Sequence, residues 1–272
     1  MHECVSSCLI IETARPYSYE THLHTNRGSA CSPQDAKAYI NYYLERGYSG
    51  IIVTDHFFNG NCAVSKELPW EERVRRYCLG YHEAKDEGDR LGLQVFFGIE
   101  YNFDCDEYLI YGLDEAWISN HPEIMKMSHH ELFRTVDDAG GLMVQAHPFR
   151  EREYIPAIHP HPYDVHAVEV SNSGNSLASD ERAYAYAKSY GLPMTSGSDI
   201  HFIGQLKEDV RGISFDHKLT GLQDFIDTIK SGTGYSLVGP KAIMIPCLTR
   251  PSLPVDEPKQ QNDILYCQKP YL

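Results

Sequence analysis

Gly50-Ile51-Ile52-Val53-Thr54-Asp55-His56 is a run of β-branched residues that stops abruptly at a carboxylate and an imidazole. Unbroken apolar character over so few positions suits a strand covered on both faces, as in a parallel sheet. The same design recurs along the chain. Leu93 to Ile99 reads as a buried strand ending at Glu100, Gly141 to Ala146 as one ending at His147-Pro148, and Leu192 to Gly197 as one ending at Ser198-Asp199-Ile200-His201. Upstream, Tyr17 to Leu23 leads into His22-Leu23-His24, and strand alternation puts the two imidazoles on one face. That pair alone is equally half of a metal site or a hydrogen-bonded pair.

Helices are predicted between the strands. One starts with Ser32 as cap and Pro33 at its first position, runs to about Arg46 and stops at Gly47. A second covers Trp70 to Leu91. A third opens on the capping box Ser128-His129-His130-Glu131 and reaches Ala139. A fourth covers Leu177 to Tyr190 and is closed by Gly191, and the last is capped by Thr220 and Gln223. Tyr108–Tyr111, Val165–Val170, Gly212–Phe215 and Tyr235–Val238 read as further strands. Such alternation implies parallel strands joined by right-handed crossovers. Six or seven units of that kind suggest a closed barrel, with function at the carboxyl ends of the strands.

The 272 residues suffice for one large domain. The barrel is expected over 17–245, preceded by an extension at 1–16 and followed by an irregular tail at 246–272, where Pro, Gln and Asp accumulate. A net charge of −14 argues against a general nucleic-acid or anionic-membrane binder, although bound divalent cations would reverse the field locally. The eight cysteines form no Cys-x-x-Cys pair and read as reduced thiols of a cytoplasmic protein. Neither a signal peptide nor a membrane span is legible.

His22, His24, His56, Glu100, His147, Asp199 and His201 all fall at or just beyond predicted strand ends. One histidine in such a place is usually structural; five histidines and two carboxylates in the same topological position point to a metal centre. Oxygen and imidazole ligands without thiolate suit Zn, Mn or Fe. Seven ligands exceed what one tetrahedral ion needs, so at least two ions are expected, with Glu100 as the natural bridge.

The motifs His22-Leu23-His24, Thr54-Asp55-His56, Ala146-His147-Pro148 and Ser198-Asp199-Ile200-His201, with the glutamate of Gly98-Ile99-Glu100, resemble in order those of the PHP (polymerase and histidinol phosphatase) family, over roughly Tyr17 to Val238. The resemblance implies a distorted (β/α)7 TIM-like barrel, two or three divalent ions, and phosphoesterase chemistry. It further implies that His22, His24, Glu100 and Asp199 hold one ion, Glu100 and His147 a second, and His56 and His201 a third. Two departures mark this chain. Where family members often carry a histidine or aspartate after the first motif, it offers Ser29, Ala30 and Cys31; after the fourth strand, where trinuclear members place a histidine, it has Asp114, which either replaces that ligand or leaves the third site weaker.

Around the centre, Arg27 and Arg150 are candidates for a fork on phosphate oxygens, or for surface ion pairs. Asp55 is a candidate catalytic residue, most simply as partner of a liganding imidazole. Glu169 and Asn172 end a strand on the same side. His159-Pro160-His161-Pro162 repeats the His-x-His spacing but reads as a loop, and His129 and His130 read as solvated. The expected function is hydrolysis of a small phosphorylated metabolite or nucleotide, most simply a phosphomonoester, with no stable nucleic-acid partner and no membrane. The alternatives are a 3′–5′ exonuclease or phosphodiesterase and a metal-binding protein without turnover.

Overall fold

A computed structural model describes residues 16–103, 105–153, 155, 157–206 and 210–239. Apart from Pro16, the expected extension lies outside the described residues, as does the expected tail. Among the described residues nine strands make one sheet: β1 (Tyr17–Glu20), β2 (Tyr48–Val53), β3 (Gln94–Phe103), β4 (Asp106–Tyr111), β5 (Leu142–Gln145), β6 (Ala167–Asn172), β7 (Met194–Gly197), β8 (Gly212–Phe215) and β9 (Tyr235–Val238). Their order is β7-β6-β5-β4-β3-β2-β1-β8-β9. The sheet curls into a nearly closed barrel, the distorted TIM-like form expected. Among the described residues no helix is long and apolar enough to cross a membrane.

The strands are not all parallel, which corrects the sequence expectation. β1-β2-β3 and β5-β6-β7 are parallel blocks, but β4 runs antiparallel to both β3 and β5. β3 extends to Phe103 and β4 begins at Asp106. So short a connection allows only a hairpin, since a parallel crossover needs a dozen residues or more. β8 pairs antiparallel with β1, and β9 with β8.

Closure is made where β1 and β7 run out. Leu23 and Ile200 form a parallel bridge, and the His24 N–H donates to the Ile200 carbonyl at 2.9 Å. On the other side the Leu23 carbonyl accepts from the Thr54 N–H at 2.9 Å. A buried side chain reinforces this seam. Glu20 Oε1 accepts from the backbone N–H groups of Thr21, His22 and Ser198, each at 2.9 Å, and Oε2 accepts from the Tyr43 hydroxyl at 2.7 Å.

The helices are α1 (Ala38–Leu44), α2 (Trp70–Tyr77), α3 (Leu79–Leu91), α4 (Glu115–Asn120), α5 (His129–Asp138), α6 (Leu177–Tyr190) and α7 (Leu222–Ser231). The capping box at Ser128 and Glu131 is present, and Gly191 closes α6 as expected. Other helix ends differ. Ser32 does not cap α1; its hydroxyl contacts the carbonyls of His24 at 3.0 Å and His201 at 2.6 Å, so the helix starts later. The expected Trp70–Leu91 helix divides at Cys78, and α7 follows Gly221 with no side-chain cap. His129, read as solvated, is buried and stacks on His161 with ring centroids 4.2 Å apart.

α7 places Phe225, Ile226 and Ile229 with Tyr19, Leu109, Tyr111, Ile213 and Phe215 of the strands in one buried cluster. Tyr39, Ile40 and Tyr43 of α1 pack with Ile51 and Val53 of β2, which holds the strand whose end carries His56. Gly212 has φ +150°, and a Cβ there would lie 2.1 Å from the Tyr19 carbonyl oxygen. We expect Gly212→Ala to break the β1–β8 pairing and cost about 1–3 kcal/mol, measured as a lower midpoint in urea unfolding.

Candidate metal centre

The ends of β1, β2, β5 and β7 bring the histidines and Asp199 into one volume, whereas Glu100, expected at a strand end, lies inside β3, which runs on to Phe103 to form the hairpin with β4. Among the described residues donor atoms fall into four overlapping groups, each with its atoms within 4.8 Å of one another: His22, His24 and Asp199; His22, Glu100 and His147; His56, Glu100 and Glu107; His24, His56 and His201. All seven ligands expected from the sequence are brought together. The eighth residue, Glu107 at the start of β4, was not anticipated.

Glu100 lies at the middle. Its Oε1 is 3.0 Å from His22 Nε2 and 3.3 Å from His147 Nε2; its Oε2 is 2.6 Å from His56 Nδ1 and 3.4 Å from His24 Nε2. Asp199 Oδ1 sits 3.1 Å from His24 Nε2 and 3.5 Å from His22 Nε2. Glu107 reaches His147 Nε2 at 3.4 Å. Two ligands of one tetrahedral ion, each about 2.1 Å from it, lie roughly 3.4 Å apart. Despite this proximity, His22 Nε2, His24 Nε2, His56 Nδ1 and Glu100 Oε2 are buried with no hydrogen-bond partner. Buried polar atoms are rarely left so, and cations held in the donor groups would satisfy all four. The residues present fit divalent metal.

The surrounding bonds fix which nitrogen faces inward. Ser29 donates its hydroxyl proton to Asp55 Oδ1 at 2.7 Å, so at 2.9 Å it accepts from His24 Nδ1–H and leaves the Nε2 lone pair for the centre. Asp55 also accepts from the Thr25 N–H and hydroxyl, each at 2.6 Å. It therefore supports the first motif and belongs to none of the donor groups. Glu169 plays the equivalent part for His22, with Oε1 3.0 Å from Nδ1, while its Oε2 accepts from the His147 N–H and from Asn172. Gly197 lets β7 pass this close, because a Cβ there would lie 2.5 Å from His22 Cβ and 2.6 Å from Glu169 Oε1. His147 and Asp199 have φ of +30° and +54°, backbone strain of the kind that persists where surroundings over-determine it.

Electrostatics follow the crowding. Burial and the neighbouring His56 and His201 hold His24 down to about 3, neutral and able to coordinate. His22 is raised although burial opposes this, because Asp199, Glu169 and Glu100 face it. Glu100 is held well below the usual carboxylate range against its burial by His56 and His22, whereas burial and Glu100 raise Glu107. Burial would raise the Cys31 thiol, but hydrogen bonds with His201 and His56 bring it to about 6.

The two arginines part company. Arg150 is nearly buried and donates to Asp199 Oδ2 and Asn172 Oδ1, each at 2.7 Å, and to Asn175 at 3.0 Å. It lines a narrow cleft with Glu107, Gln145 and His147. The Arg27 guanidinium, 47 % exposed, is instead engaged by Glu83 of α3 at 2.7 and 3.1 Å. Asp114 caps α4 by accepting from the Trp117 N–H at 2.7 Å and lies in none of the donor groups. His159 and His161 sit in a loop against Asp106, at 3.2 and 3.6 Å.

A family model described as PHP-associated matches residues 179–233. No curated protein matches the chain. Among solved structures, the chain is similar to a two-domain protein from Bacteroides vulgatus ATCC 8482 containing a predicted PHP-like metal-dependent phosphoesterase, with 14% identity, 82% of this chain and 64% of that one covered, and a TM-score of 0.63. The chain thus spans 64% of that protein's length. A Bifidobacterium adolescentis ATCC 15703 structure, whose name proposes a metal-dependent phosphoesterase, shares 15% identity over 81% of this chain and 98% of that one, with a TM-score of 0.54. PsfC from Pseudomonas syringae PB-5123 shares 17% over 82% and 91%, with a TM-score of 0.52. The chain has a PHP-like fold, and its resemblance to that family rests on the motifs, the family-model match and the architecture together.

Two expectations follow for metal binding. Glu169→Gln weakens metal affinity about 10–100-fold, the scale of losing an orienting partner, without unfolding the protein. Glu107→Gln lowers it at least about tenfold, whereas Asp114→Ala leaves it unchanged and costs about 1 kcal/mol of stability through the lost helix cap. Calorimetric metal titration and thermal melts of the three variants check both.

Proposed function

We propose that the chain is a metal-dependent phosphoesterase that hydrolyses a small phosphorylated substrate, a phosphomonoester in the simplest case. The observation that carries this is the convergence of four donor groups around Glu100 beside a cleft lined by Arg150. His22, His24, Glu100 and Asp199 would hold one ion, Glu100, Glu107 and His147 a second, and His56 and His201 a third. Divalent ions in such a donor set acidify water and neutralise charge on phosphate oxygens during in-line attack.

The chain's own residues do the rest. The protein as a whole is acidic, so phosphate needs a local cation; Arg150 supplies the guanidinium of the cleft and is held ready by Asn172 and Asn175. Asp55, Ser29 and Glu169 keep the imidazoles in the tautomer that turns a lone pair to the centre. The net negative charge of the chain disfavours nucleic acid. Relatives whose names carry metal-dependent phosphoesterase support the same reading of the chemistry.

Elemental analysis of protein purified without chelator, beside hydrolysis of phosphomonoester and phosphodiester panels, tests this. Two or more ions per chain are expected, with monoester hydrolysis that falls at least about a hundredfold in His24→Ala. Fully loaded, folded wild type that hydrolyses neither panel would overturn the enzymatic reading in favour of a metal-binding protein without turnover.

A further inference from the structure

We propose that the strap His159-Pro160-His161-Pro162 positions Glu107 for the ion it would share with Glu100 and His147, acting through Asp106. His159 and His161 fall in none of the donor groups and are positioning residues. The inference rests on the metal-centre reading above and adds to it the part of the chain that aims one ligand.

Glu107 is the second residue of β4, just past the tip of the hairpin with β3. Strand alternation sends its side chain to one face and that of Asp106 to the other. A grip on Asp106 therefore fixes the stretch of backbone that aims Glu107. Asp106 Oδ2 stands 3.2 Å from His159 Nδ1 and 3.6 Å from His161 Nε2. The strap is in turn fastened to β5, where buried Gln145 donates to the His159 carbonyl at 2.8 Å and accepts from the His161 N–H at 3.3 Å. Gln145 lies two residues before His147, and the next residue, Ala146, donates its N–H to the Glu107 carbonyl at 2.9 Å. The strap thus spans the two strands that bring Glu107 Oε2 within 3.4 Å of His147 Nε2.

Its place is held further along. Pro160 and Pro162 restrict the backbone, Asp164 Oδ1 lies 2.7 Å from His130 Nδ1, and the His161 ring stacks on His129. That stack has a cost. His129 is buried with no hydrogen-bond partner for either ring nitrogen, an exception among buried polar groups that asks for a reason. The position of His161 supplies one, since the ring that covers His129 is the ring that reaches the residue beside Glu107. Losing an orienting partner of a ligand lowers metal affinity by about tenfold or more.

Calorimetric zinc titration of the full chain, beside thermal melts, is the test. Glu107→Gln first marks the binding step that depends on that carboxylate. His159→Ala with His161→Phe keeps a ring over His129 and removes both nitrogens that face Asp106; it is expected to weaken that step roughly tenfold and leave the others unchanged. His159→Asn with His161→Gln returns a nitrogen to each position and is expected to restore it. Asp106→Ala, made from the other side of the same contact, is expected to match the Ala and Phe pair, and the three substitutions together to lose no more than either. Wild-type affinity in that pair or in Asp106→Ala, or an equal further loss when the pair is added to Glu107→Gln, would overturn the proposal. So would the same loss in both histidine pairs, which would make the strap a packing element only. Wild type that takes up no zinc by elemental analysis would overturn the metal-centre reading itself, a distinct result.

Discussion

The buried carboxylate of Glu20 is the contact on which the rest depends. Three backbone N–H groups converge on one of its oxygens, two from the strand leading into His22 and His24 and one from Ser198, beside Asp199. Sheet pairing between β1 and β7 is confined to the Leu23–Ile200 bridge, so this side chain supplies acceptors that a ladder would otherwise provide. Burial raises the pKa of Glu20, and the bonds from Ser198, His22 and Tyr43 counter that shift. Burying a carboxylate is costly unless its lone pairs are satisfied; here they are met by the segments that carry the first and fourth motifs.

Around that seam the molecule concentrates like and unlike charge with little solvent. Glu100, Glu107 and Asp199 face five imidazoles, and Arg150 balances one oxygen of Asp199. Ser29, Asp55 and Glu169 pin the rings from behind, which limits how far the cluster can relax. Those bonds orient the rings, so the protein contributes to the coordination geometry.

Much of this was legible in the sequence because strand ends are marked by residues of one chemistry. The buried runs around Ile52 and Val144 stop at His56 and His147, and no rule of packing asks for an imidazole there. Glu107 escaped because it enters from the near end of β4, an antiparallel strand read as another parallel unit; the few residues between Phe103 and Asp106 were the available signal. Ser32 looked like a helix cap, since a local rule has no knowledge of the carbonyls of His24 and His201 that its hydroxyl serves instead. Arg27 and Arg150 each follow a motif histidine, with Arg150 favoured for substrate contact, and their surroundings differ: one finds Glu83 at the surface, the other Asp199 in the interior.

The Leu23–Ile200 bridge means that the backbone closing the barrel is also the backbone presenting the ligands. A chain whose seam stands open has its first and fourth motifs apart and therefore no assembled centre, even with every other strand in place. Bound metal would then work as a census of closed barrels, and partly folded molecules would be silent in any assay that reads the ion.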